Sequence, residues 1–310
     1  MGVELLHYRP WRGSFRGPAV SVWPIARVSL WMIFRRKLFW ATYALGLLFF
    51  LLFFFGQYLL AWAQTQLGES SVSLIDRYQE SPARLVTQLR DVLKLNGTGE
   101  MYRNFFWYQG YMVMVVLALA GSILVGNDFH FGSLPFYLSK PLSRWHYLVG
   151  KCLAVGVFIN LMTTLPALAL YVQYGLLDSW SYFTDCAYLF FGILGYGLLL
   201  TVCLSLILVA TASWLRRTVP LIMTWTTLFV FSRLIAEALV DRLHYDGHWR
   251  LIDLWNDLYV IGNTLLQVPH EKIRPAPQPE WYEAALVLGA VCLLCLSYLN
   301  LRTRAVEIVK

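Results

Sequence analysis

Between Phe39 and Leu60 the chain runs for 22 residues without a charged side chain, and that run limits the fold more than any other feature. A helix rises about 1.5 Å per residue, so about 20 apolar residues cross the hydrocarbon layer of a bilayer. In hydrocarbon each backbone N–H and C=O must be paired within its own segment, which makes such a run a helix. Comparable runs recur, separated by short polar breaks. They predict an all-α integral membrane protein with six transmembrane helices, at roughly 39–62, 105–125, 148–171, 188–214, 219–240 and 283–299. Composition agrees: 58% of the 310 residues are hydrophobic and 14% charged, whereas a soluble domain carries about 25% charged residues.

No cleavable signal is expected at the start, because Arg9, Arg12 and Arg16 are followed by Pro18 and Pro24 rather than a short apolar run. Orientation follows the basic residues. Fifteen of the 25 Lys and Arg fall before the first span, in the 126–151 link, in the fourth-to-fifth link and in the tail; nine fall on the opposite side and Arg233 lies within a span. The short links favour N-in, C-in topology. The expected layout is a cytoplasmic N-terminus with an interfacial helix over 1–38, a transmembrane domain over 39–300 and a cytoplasmic tail over 301–310. Two sizeable extracytoplasmic loops fall at about 63–104 and 241–282. The net charge of +7 is accounted for by basic residues facing anionic membrane lipid, and calls for no nucleic acid.

Inside the loops, Leu85, Leu89 and Val92 predict one helix ending at Asn96-Gly97, and Asn96-Gly97-Thr98 reads as a turn. Leu251, Leu254, Leu258 and Ile261 predict a second helix, in the outer interface, and Pro269 to Pro279 a stiff extended connector. His244 and His248 could present two metal ligands, but Gly247 interrupts the helix and a third ligand is missing; no metal site is expected. Cys292-x-x-Cys295 lies in an apolar run and reads as packing. Gly197, Thr201 and Ser205 form a small-residue stripe for close helix approach, and Pro166 should kink the third span.

The segment from Asn127 to Arg144 (NDFHFGSLPFYLSKPLSR) is too short for a domain and too apolar for a solvated loop. Phe129, Phe131, Leu134, Phe136, Tyr137 and Leu138 would be costly to leave in water, and Pro141 stops any helix just before Arg144. Read from the residues, it is a short cytoplasmic helix and turn that either docks into a partner or lies in the inner leaflet. The stretch Gly132-Ser133-Leu134, Tyr137-Leu138-Ser139-Lys140-Pro141-Leu142-Ser143-Arg144 and Gly150-Lys151 closely resembles the cytoplasmic signature of ABC transporter permeases of the type-2 exporter family. His130 and Pro135 stand where acidic residues are common in that signature. The resemblance implies a coupling helix at about 127–144 that sits in a groove of a separate ABC ATPase subunit. It makes Asp128, Phe129, Gly132, Leu134, Leu138, Pro141 and Arg144 candidate ATPase contacts or shapers of that helix. It further implies two ATPase copies, a second permease copy or a homologous permease, and a path lined by the first, second and fifth spans.

The chain has no ATP-hydrolysing machinery of its own. Gly150-Lys151-Cys152 superficially resembles a phosphate loop, but Trp145 stands where the first Gly is needed and Cys152 where Ser or Thr would bind magnesium. ATP and Mg are expected in the partner, with no cofactor and no catalytic residue here. An ion-gradient drive is disfavoured, since only the fifth span carries ionisable residues in its interior. These are Arg233 and Glu237, one turn apart and about 21 Å along the span from Val219; they read either as an ion pair or as an outer gate. The sequence therefore points to a permease of an ATP-driven exporter in a bacterial inner membrane, handling a hydrophobic or amphiphilic substrate. The runner-up is a non-transporting scaffold or mechanotransmission subunit driven by a partner ATPase, and the outer loops leave room for an extracytoplasmic accessory protein.

Overall fold

A computed structural model describes residues 20, 22–70, 94–121, 126, 128, 144–215 and 217–302. Among these there is no β-strand. The helix expected around Leu85, Leu89 and Val92 lies outside the described residues, as do Phe129, Gly132, Leu134, Leu138, Pro141, His130 and Pro135.

The chain opens with α1 (Val22–Phe34), which turns Ala26, Ser29, Leu30 and Ile33 inward. That spacing is one helical stripe. Trp23, Val28 and Trp31 stay exposed on the other side. At its end the Arg35 guanidinium covers the Trp31 ring at 3.8 Å, and Trp40 Nε1 donates to the orphaned Phe34 carbonyl at 2.8 Å.

Five helical segments are long and apolar enough to cross a membrane: Phe39–Ala63 within α2 (Lys37–Ser70), Trp145–Leu177, Ala187–Leu215, Thr218–Arg242 and Trp281–Arg302. The second predicted span, 105–125, falls on α3 (Gly99–Gly121), which is not among the five; its residues 122–125 lie outside the described residues. The first half of α3 carries Glu100, Arg103, Asn104 and Gln109, which lowers its hydropathy. It nevertheless packs well, with Met101, Tyr102, Phe105, Phe106, Val113 and Leu117 buried. Glu100 bonds Lys94 at 2.8 Å and Lys272 at 2.9 Å. Burial pushes its carboxyl up, but the two ammonium groups outweigh that and hold it below its usual range.

The third span is two helices, α4 (Arg144–Met162) and α5 (Thr164–Leu177). Thr163 between them sits at φ −113°, ψ −66°, three residues before Pro166, whose ring crowds the carbonyl four residues earlier. The short α6 (Ser181–Asp185) follows, then α7 (Ala187–Leu215), the central helix, which packs against α3, α4, α5 and the last two helices. The small-residue stripe does what its spacing predicts: a Cβ on Gly197 would stand 1.9 Å from Thr164 Oγ1 and 3.0 Å from Thr164 Cβ. Helix α8 (Thr218–Arg242) contains two π-helical turns, Thr227–Phe231 and Ala238–Arg242.

Residues 241–282 depart most from expectation. A 3₁₀ turn (Gly247–Ile252) leads into α9 (Leu254–Leu265), capped by Asp253, whose Oδ1 accepts from Trp255 N at 3.0 Å. This is the helix that the sequence predicts there; it packs against α3, α7 and α10 (Trp281–Arg302), with Trp255 1% exposed. Leu254 and Leu258 are indeed buried, but so are Asn256, Asp257 and Asn263 on other sides of the helix. The Pro269–Pro279 stretch is not an extended connector. It folds back, burying Ile273. The Lys272 carbonyl accepts from Arg103 at 3.1 Å, and the Pro277 carbonyl accepts from Arg250 at 2.7 Å. Backbone carbonyl bonds with two arginines outweigh the stiffness that proline spacing suggested.

Candidate functional site

The alternating helices give the bundle two ends. One holds α1, the start of α4 and the ends of α3 and α7 beside the start of α8. The other holds α9, the 3₁₀ turns and residues 94–98.

At the first end, Gly150 lets α1 approach α4 closely: a Cβ there would come within 2.9 Å of Ile25 Cγ2 and 3.2 Å of the Val22 carbonyl oxygen. One residue on, Lys151 points into the protein at 2% exposure, and its Nζ lies 2.7 Å from Asp128 Oδ2. Tyr147, one turn earlier on α4, donates its hydroxyl to the same oxygen at 2.9 Å. The sequence counted Lys151 both in the 126–151 link and within the 148–171 span; it lies inside the candidate span Trp145–Leu177. Asp128 is buried with these two groups. Arg144 begins α4. A sequence signal for the pair existed: a lone lysine two turns into an apolar helix needs a partner if it is buried. Nothing in the sequence pointed to Asp128 rather than another acid.

At the other end, Arg233 and Glu237 do pair, Nε to Oε1 at 2.7 Å. Arg233 Nη1 also donates to the Tyr111 hydroxyl, and its guanidinium stands 5.2 Å from the Trp107 ring centroid. Arg233, Glu237 and Trp107, together with Arg250, Asp253 and Asn256, line a cleft of ≈ 20 Å³, room for about one water. Arg250 is 3% exposed and bonds Asp241 at 2.6 Å. Burial pushes the Asp253 carboxyl up to about 6. Asp257, one turn further, is pushed up to about 9 by burial and then by the charge of Asp253. Both its carboxyl oxygens are buried without a hydrogen-bond partner among the described residues. The sequence found the Arg233–Glu237 pair from its spacing but not Tyr111 and Trp107, which α3 supplies.

Between the ends, a polar thread crosses the helices. Asn160 Nδ2 donates to the Gly156 carbonyl and to Thr201 Oγ1, both at 2.7 Å, and its Oδ1 accepts from Thr164 at 2.7 Å. The cysteines are all free, with Cys203 and Cys292 sulfurs 3.7 Å apart. No cluster of three or more His, Cys, Asp or Glu among the described residues could hold a metal; His248 instead bonds Asp246 and Glu283.

The sequence matches the family described as ABC-2 family transporter protein over residues 23–248, from α1 through the helical spans to the 3₁₀ turn after α8. The chain belongs to that family. No curated protein matches it. This ABC-2 protein is thus a multi-pass membrane permease subunit of an ABC transporter, a kind of chain that partners an ABC ATPase subunit and is in general itself non-enzymatic.

Burial divides its spans into two classes. The windows in Trp145–Leu177 and Ala187–Leu215 are 56% and 61% buried, whereas those of Phe39–Ala63, Trp281–Arg302 and Thr218–Arg242 are 11%, 17% and 22% buried. Of the three exposed spans, α2 and α8 pack on α3, and α10 packs on α7 and α9. Leu48, Leu52, Phe55, Val230 and Phe231 are exposed along α2 and α8, with Tyr108 and Val115 exposed on α3.

Proposed function

We propose that this chain is the permease of an ATP-driven exporter of a hydrophobic or amphiphilic substrate. It has six spans, counting α3, with both termini cytosolic in a bacterial inner membrane. Two copies, or one with a homologous permease, pair with two ATPase subunits that bind ATP and Mg. The segment at about 127–144 is the coupling helix: Asp128, bonded to Lys151 and Tyr147, shapes its start, and Phe129, Gly132, Leu134, Leu138, Pro141 and Arg144 shape it or touch the ATPase. The substrate path runs along α2, α3 and α8.

The family match carries the reading. What supports the finer parts is the chemistry of the exposed helices. The α2, α3 and α8 surface is apolar and aromatic, and its ionisable residues Arg233 and Glu237 already satisfy each other. An apolar path suits a lipid-like molecule better than a hydrated ion. The cleft at Arg233, too small for a substrate, fits a closed outer gate.

The test is reconstitution of the permease with its ABC ATPase in proteoliposomes, followed by ATP-driven movement of a fluorescent lipid analogue and of small hydrophilic ions. Lipid movement is expected. Movement of hydrophilic ions alone overturns the substrate class, and ATP hydrolysis with no solute movement favours a mechanotransmission subunit. Leu134→Asp and Arg144→Glu should each release the ATPase; complexes unchanged by both refute the docking assignment.

A further inference from the structure

Lys151 holds a charge where an apolar residue would cost less. It lies at the end of the second turn of α4, 2% exposed, and an ammonium group there is tolerated only with a close, well-placed counter-charge. That counter-charge comes from outside its own helix. Asp128 precedes α4 and stands just ahead of residues 129–143; the same carboxylate oxygen receives both Lys151 at 2.7 Å and Tyr147 at 2.9 Å. Two side chains one turn apart on α4 therefore hold the chain at Asp128, just ahead of residues 129–143 in sequence, and the helix that carries them starts at Arg144, just after those residues.

We infer that Asp128, Lys151 and Tyr147 form a tether that makes α4 move as one body with the segment it anchors. Two further features give the tether a purpose. Helix α4 bends into α5 at Thr163, whose N–H still donates to the Ile159 carbonyl at 2.9 Å and whose carbonyl still accepts from Ala167 at 3.0 Å, so a movement of α4 is felt at that bend and passes on into α5. It also bears directly on two neighbours: on α1 where Gly150 meets Ile25, and on α7 where Asn160 bonds Thr201. A displacement of segment 129–143 thus passes through the ion pair into α4 and from there into α1 and α7. An apolar contact at the same place would slide; a buried, doubly bonded carboxylate has one geometry and resists leaving it. The three residues are positioning residues, not ATPase contacts. This inference rests on segment 129–143 being the ATPase-facing element.

The test uses the permease with its ABC ATPase in proteoliposomes, read by amide hydrogen exchange around Thr163 with and without ATP plus vanadate. Wild type should show an ATP-dependent difference there. Asp128→Asn and Lys151→Met should each keep the bound ATPase and its hydrolysis within twofold while shrinking that difference at least tenfold, and Asp128→Glu should retain it. Because a single variant leaves a buried charge unpaired and can fail to fold, the double variant Asp128→Asn/Lys151→Met, with both charges removed, is the second arm; it should fold and still lose the response. A wild-type response in either single or in the double variant overturns the tether, as does loss of the ATPase itself, which would place these residues in docking. Absence of bound ATPase in the wild type overturns the permease assignment of the segment, and the tether with it.

Discussion

Gly197→Val and Asn160→Leu attack the same contact between α7 and the α4–α5 span in two ways, and their relative cost tells which force holds it. Asn160 makes three hydrogen bonds of 2.7 Å, and its loss looks severe on paper. Yet Thr201 Oγ1 already donates to the Gly197 carbonyl at 2.8 Å, and the Thr164 hydroxyl can turn to a carbonyl of its own helix. Inside a membrane an interhelical hydrogen bond averages only about 0.6 kcal/mol, with a maximum of about 1.7. Leucine restores similar volume, so Asn160→Leu should cost about 1 kcal/mol.

Gly197→Val has no such escape. Its Cβ would lie 1.9 Å from Thr164 Oγ1, and rotating Thr164 does not help because Thr164 Cβ is itself only 3.0 Å away. The helices must separate, so overpacking of about 1–3 kcal/mol applies. Valine recovers only a few tenths of the roughly 1 kcal/mol that alanine gains over glycine in a helix, leaving a net loss of about 2 kcal/mol. Denaturant unfolding of the purified protein in bicelles, followed by tryptophan fluorescence, should rank Gly197→Val as the more destabilised. If Asn160→Leu proved the worse of the two, the polar thread rather than close packing would hold the span.

Lys151→Met alone should destabilise the protein by about 3–5 kcal/mol, because Asp128 is left buried without its counter-charge, while the charge-free double variant should fall within about 1–2 kcal/mol of wild type; a thermal-unfolding double-mutant cycle reads both. Asp257→Asn should stabilise the protein increasingly as pH rises from 5 to 8. The native carboxyl, pushed up to about 9, keeps its proton while the unfolded one releases it near 4, so stability falls across that window in the wild type; parallel pH-stability curves for the two proteins would refute the assignment. The His248 link to Asp246 and Glu283 has a window of its own. Bonding to Asp246, first, and then to Glu283 raises the imidazole above its usual value, and the bond to His248 lowers Asp246. The contribution is therefore present between the two titrations and lost as pH rises through the His248 value or falls through that of Asp246, which NMR titration of the imidazole protons should follow, flattened in Glu283→Gln.

The exposed and buried spans suggest how the bundle divides its labour. The α4–α5 and α7 spans form a packed block joined by Gly197, Thr164, Asn160 and Thr201, suited to carrying motion without deforming. Helices α2 and α8 keep much of their surface uncovered, and α8 carries two π turns, which are frequent at functional positions and loosen the regular ladder.

Chain-local physics was enough to place the apolar helices. Five of the six predicted spans lie on helices suited to crossing a membrane, because a run such as Phe39 to Leu60 has no other way to satisfy its backbone in lipid. The Pro166 break, the Gly197 stripe and the Arg233–Glu237 pair were equally legible, since each depends on residues within a turn or two along one helix. The tertiary structure alone decided what depends on distant partners. Lys151 found Asp128 from before its own helix, Arg233 found Tyr111 and Trp107 on α3, and α9 came to pack on α3, α7 and α10. The carbonyls of 272 and 277 bent a proline-rich stretch back on itself once Arg103 and Arg250 stood within reach. Periodicity records which side of a helix is apolar, but not which of several polar groups, tens of residues away, will come to lie against a buried charge.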